Sequence, residues 1–219
     1  DFGGQGQAPV NPALLDALAV TFYESGWDVK ALVRLLVTSR TYRQASLATA
    51  EMLARDPANA LVDRQSRYRL PAELIRDNAL AVSGLLVDEV GGESAKPYQP
   101  AGYYRHLNFP PRNYEQHNDP RQWRRGLYVH WQRMFLHPMM KALDAPSREE
   151  CTAERPRSNT PNASLVLLND PTFVEAARNF AQRIVTEGGD SFEQRIDFAY
   201  QQALNRAPDT EEKAIFQQL

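Results

Sequence analysis

The chain has 219 residues, enough for one large domain or two small ones with a substantial core. Hydrophobic residues make up 42% and charged residues 24%, which is ordinary globular composition and excludes a disordered protein. A net charge of −2 argues against a nonspecific nucleic-acid binder, because such proteins need a basic surface. The single cysteine excludes an internal disulfide, and the apolar runs are shorter than the roughly 20 residues that span a bilayer.

The N-terminal residues predict a helical hairpin. Asn11 and Pro12 form a helix start, since proline at the first helical position loses no hydrogen bond. Asp28 is a candidate N-cap for the next helix. A short third helix is predicted from Thr49 to Arg55, and Pro71 begins a fourth.

The middle of the chain, from about 91 to 122, predicts a long excursion without regular structure. Its prolines exclude a continuous helix, and the alternation needed for strands is poor. A helix is predicted to resume near Arg121 and to run to about Phe135.

The C-terminal third carries the clearest helix starts. Ser147 and Glu150 have the spacing of a capping box, as do Asp190 and Glu193. Further helix starts are predicted at Thr160-Pro161, Asp170-Pro171 and Pro208-Asp209. The fold class predicted from the whole pattern is mainly α, an irregular multi-helix domain with the excursion over about 91–122.

The chain begins at Asp1 without an initiating Met and ends at Leu219 within a helix-like stretch. We expect a single domain over residues 1–219, as a fragment of a longer multidomain protein truncated at both ends.

Four blocks of sequence carry a family resemblance. The first block includes Asp1-Phe2-Gly3 and Ser39-Arg40-Thr41-Tyr42-Arg43-Gln44, and the second includes Asp56-Pro57-Ala58-Asn59 and Arg67-Tyr68-Arg69-Leu70. The third is Lys96-Pro97-Tyr98-Gln99-Pro100, and the fourth includes Leu143-Asp144-Ala145-Pro146-Ser147-Arg148 and Val166-Leu167-Leu168-Asn169-Asp170. Together they resemble the planctomycete cytochrome-associated domain of unknown function 1553, also called PSD-one. The resemblance covers nearly the whole chain.

The resemblance implies an exported bacterial protein, placed in the periplasm, on the cell surface or outside the cell. It implies partners within the same protein, a cytochrome c-like domain upstream and other domains, and some relatives carry carbohydrate-binding-like modules. Haem c belongs only on such an upstream domain, because its attachment needs Cys-x-x-Cys-His and this chain has one cysteine. No cofactor is expected on this chain. The family has no established catalytic residues, so none carries over.

The candidate catalytic residues are polar groups near predicted helix ends. They are Asp77, Asp144, Arg148 and Asp170. Two such carboxylates facing one cleft, about 5 to 10 Å apart, would suit acid and base catalysis of glycoside hydrolysis. The alternative is that they cap helices and pair with arginines, which explains Asp144 and Arg148 least well.

The candidate binding residues are aromatic and lie in and after the excursion. They are Tyr98, Tyr103, Tyr104, Trp123 and Trp131. Aromatic faces with polar neighbours suit sugar rings or a protein partner, and the alternative is that they pack the excursion onto the helices. No metal site is predicted, since His106, His117, His130 and His137 lack the spacing of helical zinc ligands.

The function predicted from the sequence is a structural or interaction module of an exported, cytochrome c-associated protein. The alternative is a hydrolase acting on polysaccharide, or a glycan-binding domain. Nucleic acid and a transmembrane segment are not expected.

Overall fold

The structure is a computed structural model that describes residues 4–6, 8–107, 110–132, 135–147, 149–152 and 154–218. The α-helices in these ranges are α1 Pro12–Glu24, α2 Val29–Thr38, α3 Ala50–Arg55, α4 Ala72–Ser83, α5 Pro138–Ala142, α6 Pro161–Asn169, α7 Pro171–Glu187, α8 Phe192–Leu204 and α9 Thr210–Gln217. Two 3₁₀ helices, Pro120–Trp123 and Gly126–Tyr128, lie between α4 and α5. The predicted mainly α fold is confirmed.

The chain divides into two compact units, Asp1–Arg69 and Leu70–Leu219. The first unit contains α1 to α3, and the second contains α4 to α9. The prediction of a single domain over residues 1–219 stays a prediction.

In the first unit, α1 and α2 form the predicted hairpin. The Asp28 carboxylate accepts a hydrogen bond from the Ala31 backbone N–H at 2.9 Å and so caps α2. α1 begins at Pro12 as predicted, although among the described contacts the Asn11 side chain makes no capping bond. Short local signals therefore placed both helix starts.

A buried carboxylate organises the loop after α3. Asp56 accepts hydrogen bonds from the backbone N–H groups of Leu61 at 2.7 Å and Ala60 at 2.9 Å. The bond from Leu61 is the main reason why the pKa of Asp56 lies below its usual value. Arg64 donates to the carbonyl oxygens of Asp56 and Pro57, at 2.8 and 3.0 Å, and closes the turn.

In the second unit, α7 is the central helix, and α4, α6 and α8 all pack against it. The buried core residues of this unit are Ala72, Val129, Leu136, Met139, Met140, Leu143, Ala163 and Phe173. Arg183 of α7 donates to the Val82 carbonyl at 2.6 Å, near the C-terminal end of α4. That bond satisfies a carbonyl that the last turn of the helix leaves without a partner.

A buried arginine joins α4 to the 3₁₀ helices. Arg76 is 0% exposed, and its Nη1 and Nη2 donate to the carbonyl oxygens of Arg124 at 2.6 Å and Gln122 at 2.5 Å. Burial lowers the pKa of Arg76 to about 10, against the attraction of Asp77 and Asp170. Its guanidinium stays charged at neutral pH and fixes both carbonyls.

A second buried arginine organises the loop after α4. Arg124 donates to the carbonyl oxygens of Glu89, Gly91 and Glu93. Its guanidinium also lies 4.2 Å from the centre of the Tyr128 ring. The beginning of the excursion is therefore irregular, but its Gly91 and Glu93 carbonyls have a defined donor.

The second 3₁₀ helix lies against α4 at a glycine. A Cβ atom on Gly126 would lie 2.8 Å from the Glu73 Cα and 2.9 Å from the Glu73 carbonyl oxygen. Glycine is therefore required there by the close approach of two backbones.

The predicted helix from Arg121 to about Phe135 is wrong. Its backbone groups pair instead with distant residues: the Val87 N–H donates to the Trp123 carbonyl at 3.1 Å, and the Ala95 N–H donates to the Tyr128 carbonyl at 2.7 Å. Those carbonyls therefore do not take part in an α-helical ladder, and the described residues of this segment form two short 3₁₀ turns.

The capping boxes predicted at Ser147 and at Asp190 are also wrong. Residues 149–152 are bent or extended, and the next helix begins only at Pro161. The box at the start of α8 uses Ser191 and Gln194, one residue further along than predicted. By contrast, the starts at Thr160, Asp170 and Asp209 are confirmed by side-chain caps.

His137 is a buried histidine at the start of α5. It is 1% exposed, and its Nε2 lies 2.7 Å from the Tyr98 carbonyl oxygen. Since a carbonyl can only accept, Nε2 carries the proton. Burial lowers the pKa of His137 to about 4, so the ring is neutral at pH 7.

We expect Arg76→Met to lower the free energy of unfolding of the second unit by about 3 kcal/mol or more, because two buried carbonyls lose their donor. Urea denaturation followed by tryptophan fluorescence measures this in a Trp27→Phe background, where the remaining tryptophans lie in the second unit. Arg125→Met is the matched control: its side chain is 45% exposed and contacts Asp77 at 3.3 Å. Arg125→Met should lower the free energy of unfolding by about 0 to 1 kcal/mol. Equal losses in the two variants would contradict the role of Arg76.

We expect acidification from pH 6.5 to 4 to remove about 3 kcal/mol of stability through His137, whose pKa falls from 6.5 to about 4 on folding. As the pH falls, His137 binds its proton in the unfolded chain at a higher pH than in the folded chain. The contribution of neutral His137 to stability is therefore fully present above about pH 6.5 and is lost as the pH falls toward about 4. Urea denaturation at several pH values measures the slope. His137→Gln keeps a donor for the Tyr98 carbonyl without titrating and should flatten it. The exposed His106→Gln is the control, and a flattened slope there instead would refute the assignment.

Candidate functional site

Asp77 lies on α4 and is 8% exposed. Its Oδ1 accepts a hydrogen bond from the Gly126 N–H at 2.5 Å, and its Oδ2 accepts one from Arg125 Nε at 3.3 Å. These bonds fix the second 3₁₀ helix against α4. Asp77 therefore has a structural task in this fold.

Asp170 lies between α6 and α7 and caps α7. Its Oδ1 accepts a hydrogen bond from the Thr172 N–H at 2.9 Å. Burial raises the pKa of Asp170, while its bonds to Thr172 and the nearby charge of Arg76 oppose that shift. The raised pKa is a consequence of its place beside the core.

Asp144 follows α5 with a φ of +60°, a conformation that aspartate tolerates better than most residues. Its carboxylate accepts hydrogen bonds from the Ser158 N–H at 2.7 Å and from the Ser158 hydroxyl at 2.8 and 2.9 Å. The contact ties the end of α5 to the segment that leads into α6. Arg148, the fourth candidate, lies outside the described residues.

The candidate carboxylates are arranged around other protein groups. Asp77 and Asp170 both lie within electrostatic range of the Arg76 guanidinium and raise its pKa, against the larger effect of burial. Asp144 instead binds Ser158. The structure thus brings two of the predicted residues to one buried cation.

The candidate aromatic residues lie in three places. Tyr98 and Trp123 line one cleft, of about 270 Å³. Tyr103 and Tyr104 line another, of about 540 Å³. Trp131 packs against the hydrophobic core, and its indole N–H donates to the Ser147 carbonyl at 3.0 Å.

Tyr103 and Tyr104 also have packing roles. The Tyr103 hydroxyl donates to the Leu136 carbonyl at 2.8 Å, and Tyr104 is 7% exposed. The Tyr104 ring meets Tyr114 edge to face at 5.7 Å between centroids. Burial raises the pKa of both tyrosines, so neither titrates near neutral pH.

The Tyr98–Trp123 cleft, defined as the 270 Å³ hollow beside the first turns of α7, is bordered by residues that the sequence did not single out. Glu175 of α7 accepts a hydrogen bond from Trp123 Nε1 at 2.9 Å. The cleft adjoins a second hollow of about 540 Å³ on the same helix. Pro171 and Glu175 line both.

Most of the further lining residues of the two hollows are polar, and Pro97 and Val174 are the apolar ones. The polar ones are Gln116, Gln122, Thr172, Asn169, Arg178, Asn179 and Gln182. Residues 171, 175, 178, 179 and 182 share a face of α7 by their spacing of three and four. That polar face was readable from the sequence. The sequence did not indicate that Trp123 would contact Glu175, which lies 52 residues further along the chain.

In the part of the chain that the structure describes, no group of three or more His, Cys, Asp or Glu residues could hold a metal ion. Cys151 is exposed. Each helix within the described ranges is too short or too polar to cross a membrane.

Comparison with known proteins places the chain in a family. Comparison with the curated proteins gave no match, and comparison with the solved structures gave none either. Residues 1–219 match the PSD1 family, described as proteins of unknown function (DUF1553). The chain belongs to this PSD1 family, as its sequence blocks indicated.

Proposed function

We propose that this chain is a non-catalytic interaction module that docks another protein domain through an apolar surface of its first unit. The observation that carries the proposal is the exposure of α1 and α2. Their residues are exposed or half-buried throughout. The hairpin surface consists of the large apolar residues that are 40–67% exposed on and between these helices: Leu14, Leu15, Val20, Tyr23, Trp27, Val29, Val33, Leu35, Leu36 and Val37.

The residue pattern of α1 indicates that another protein or domain covers this surface. Within α1, only Asp16, Thr21 and Glu24 are polar, so apolar side chains occupy all its sides. A helix that is apolar on all sides is normally buried in protein or spans a membrane, and the 13 residues of α1 are too few to span one. Exposed apolar surface of this extent marks an interaction site.

The chemistry of the hairpin surface favours a protein occupant. Trp27 is 63% exposed and meets the rings of Phe22 and Tyr23 edge to face, at 5.2 and 5.9 Å between centroids. Tyrosine and tryptophan are enriched among residues that dominate protein interfaces. Residues 12–38 carry two cationic side chains, Lys30 and Arg34, and three carboxylates, so they lack the cationic excess of helices that lie on membranes.

The resemblance to cytochrome-associated planctomycete proteins suggests the occupant. It supports an exported, multidomain protein in which a cytochrome c-like domain, or another domain of the same protein, covers the hairpin surface. Haem c would then belong to that neighbouring domain.

The hydrolase alternative has less support. A catalytic acid or base must face its substrate, whereas Asp77, Asp144 and Asp170 each accept hydrogen bonds from the protein's own backbone. Asp77 and Asp170 also interact electrostatically with the buried Arg76 guanidinium.

For the carboxylates, we expect Asp144→Ala to lower the free energy of unfolding by about 1 to 3 kcal/mol, because the Ser158 N–H loses its acceptor. Asp144→Asn keeps an acceptor and tolerates the positive φ, so it should cost less. Urea denaturation measures both. Reducing-sugar release from neutral and acidic polysaccharides should be at background level for wild type and variants. Turnover by the wild type that Asp144→Asn abolishes would overturn the proposal.

For the hairpin surface, we expect amide hydrogen exchange in α1 and α2 to be at least about tenfold slower when the cytochrome c-like domain is present in the same protein. Leu15→Lys with Val33→Lys should remove the difference without lowering stability, because both side chains are more than half exposed. The matched control is Leu165→Lys with Leu168→Lys, two exposed leucines of α6.

Equal exchange rates with and without the neighbouring domain would contradict the docking. Protection that grows with the concentration of the isolated chain would make a second copy the occupant, and protection by lipid vesicles would make a membrane the occupant. Either result replaces the proposal.

A further inference from the structure

The second unit carries a concave polar and aromatic surface that the docking proposal does not use. It consists of the Tyr98–Trp123 cleft and the adjoining hollow along α7, which share Pro171 and Glu175. Their volumes of about 270 and 540 Å³ are close to the range of small-molecule sites, roughly 300 to 1,000 Å³. The surface is large enough for a ligand with more than one unit in a row.

We propose that this surface binds a neutral saccharide chain without cleaving it. Tyr98 is 36% exposed and Trp123 is half-buried, so each offers part of its ring to the cleft. The C–H face of a sugar ring packs on such rings, while its hydroxyl groups need donors and acceptors beside them.

The hydrogen-bonding groups around the rings fit hydroxyl groups. Gln116 and Gln122 line the Tyr98–Trp123 cleft, and Asn179 and Gln182 line the adjoining hollow. Each side-chain amide offers both a donor and an acceptor, as each hydroxyl does. A surface with several amides is therefore suited to a ligand with many hydroxyl groups.

Glu175 is held in place at the junction of the two hollows. Trp123 Nε1 donates to its Oε2 at 2.9 Å, which uses one of the two carboxylate oxygens. The same bond fixes the indole ring. The ring and the carboxylate are thus positioned before any ligand arrives, which lowers the entropic cost of binding.

The charges at this surface favour a neutral ligand. Among the described lining residues of the two hollows, Glu175 and Arg178 are the charged ones, and they are of opposite sign. A phosphate or a polyanionic glycan needs an excess of cationic donors. Cleavage of the glycosidic bond needs two carboxyl groups, and among these described residues Glu175 is the one carboxylate.

The binding experiment uses four neutral hexasaccharides: β-1,4-linked glucose, xylose and mannose, and α-1,4-linked glucose. The protein is a Trp27→Phe, Trp131→Phe variant, so that its fluorescence reports Trp123 alone. We expect at least one hexasaccharide to change this fluorescence saturably at or below millimolar concentration. Calorimetry with the wild type should give the same affinity.

Tyr98→Ala should weaken that binding about tenfold, the effect of losing one stacking ring. Its backbone carbonyl, which His137 uses, is unchanged. Glu175→Gln retains an acceptor for Trp123 Nε1 and should weaken binding several-fold without lowering stability. The matched control is Tyr42→Ala, a 52% exposed tyrosine in the first unit, which should bind as the wild type does.

The proposal is overturned if none of the four hexasaccharides binds at millimolar concentration, or if Tyr98→Ala binds as tightly as the wild type. Tighter binding of hexagalacturonate than of every neutral probe would also overturn it, because the ligand would then be anionic. Chromatography of the bound hexasaccharide after a day of incubation should show unchanged chain length. Shortened products would make the site catalytic and reject the inference.

Discussion

The architecture of the second unit depends on one buried charge. The Arg76 guanidinium, fully removed from solvent, donates hydrogen bonds to the carbonyls of Gln122 and Arg124, and Asp77 and Asp170 lie within electrostatic range of it. A buried cation without such partners would cost several kcal/mol, so the segments that provide them cannot move away independently. This constraint positions the first 3₁₀ helix, and with it the Trp123 ring beside α7.

The same interaction involves two of the candidate carboxylates. Asp77 and Asp170 lie within electrostatic range of Arg76, and each accepts a hydrogen bond from a backbone N–H. The two proposed binding surfaces lie on different units and differ in chemistry. The hairpin surface is apolar and suits another protein, whereas the surface along α7 combines rings with amides and suits a sugar. A module with both would connect a saccharide to a neighbouring domain.

Sequence reasoning succeeded where the signal was local. Asp28, Thr49, Thr160, Asp170 and Asp209 all cap helices at the predicted starts, because a cap needs only a side chain and an N–H two or three residues away. It failed between Arg121 and Phe135, where apolar spacing predicted a helix. There the backbone pairs with Val87 and Ala95, and no pattern within the segment reports partners that far away. Tyr98 and Trp123 were predicted as binding residues from their residue type. The sequence did not indicate that both line one cleft with Glu175.

The sequence by itself determined the family, the mainly α class, most helix starts and the irregular middle, since prolines and caps act within a few residues. Only the tertiary structure decided which side chains meet. Arg76 and Arg124 are 48 residues apart, Asp77 and Gly126 are 49, and Trp123 and Glu175 are 52. Such contacts form because burial of a charge or a ring forces its polar atoms to find partners wherever the fold supplies them. That requirement acts in space and not along the chain. The sequence pattern therefore did not show that Asp77 binds the Gly126 N–H, or that Trp123 meets Glu175 beside α7.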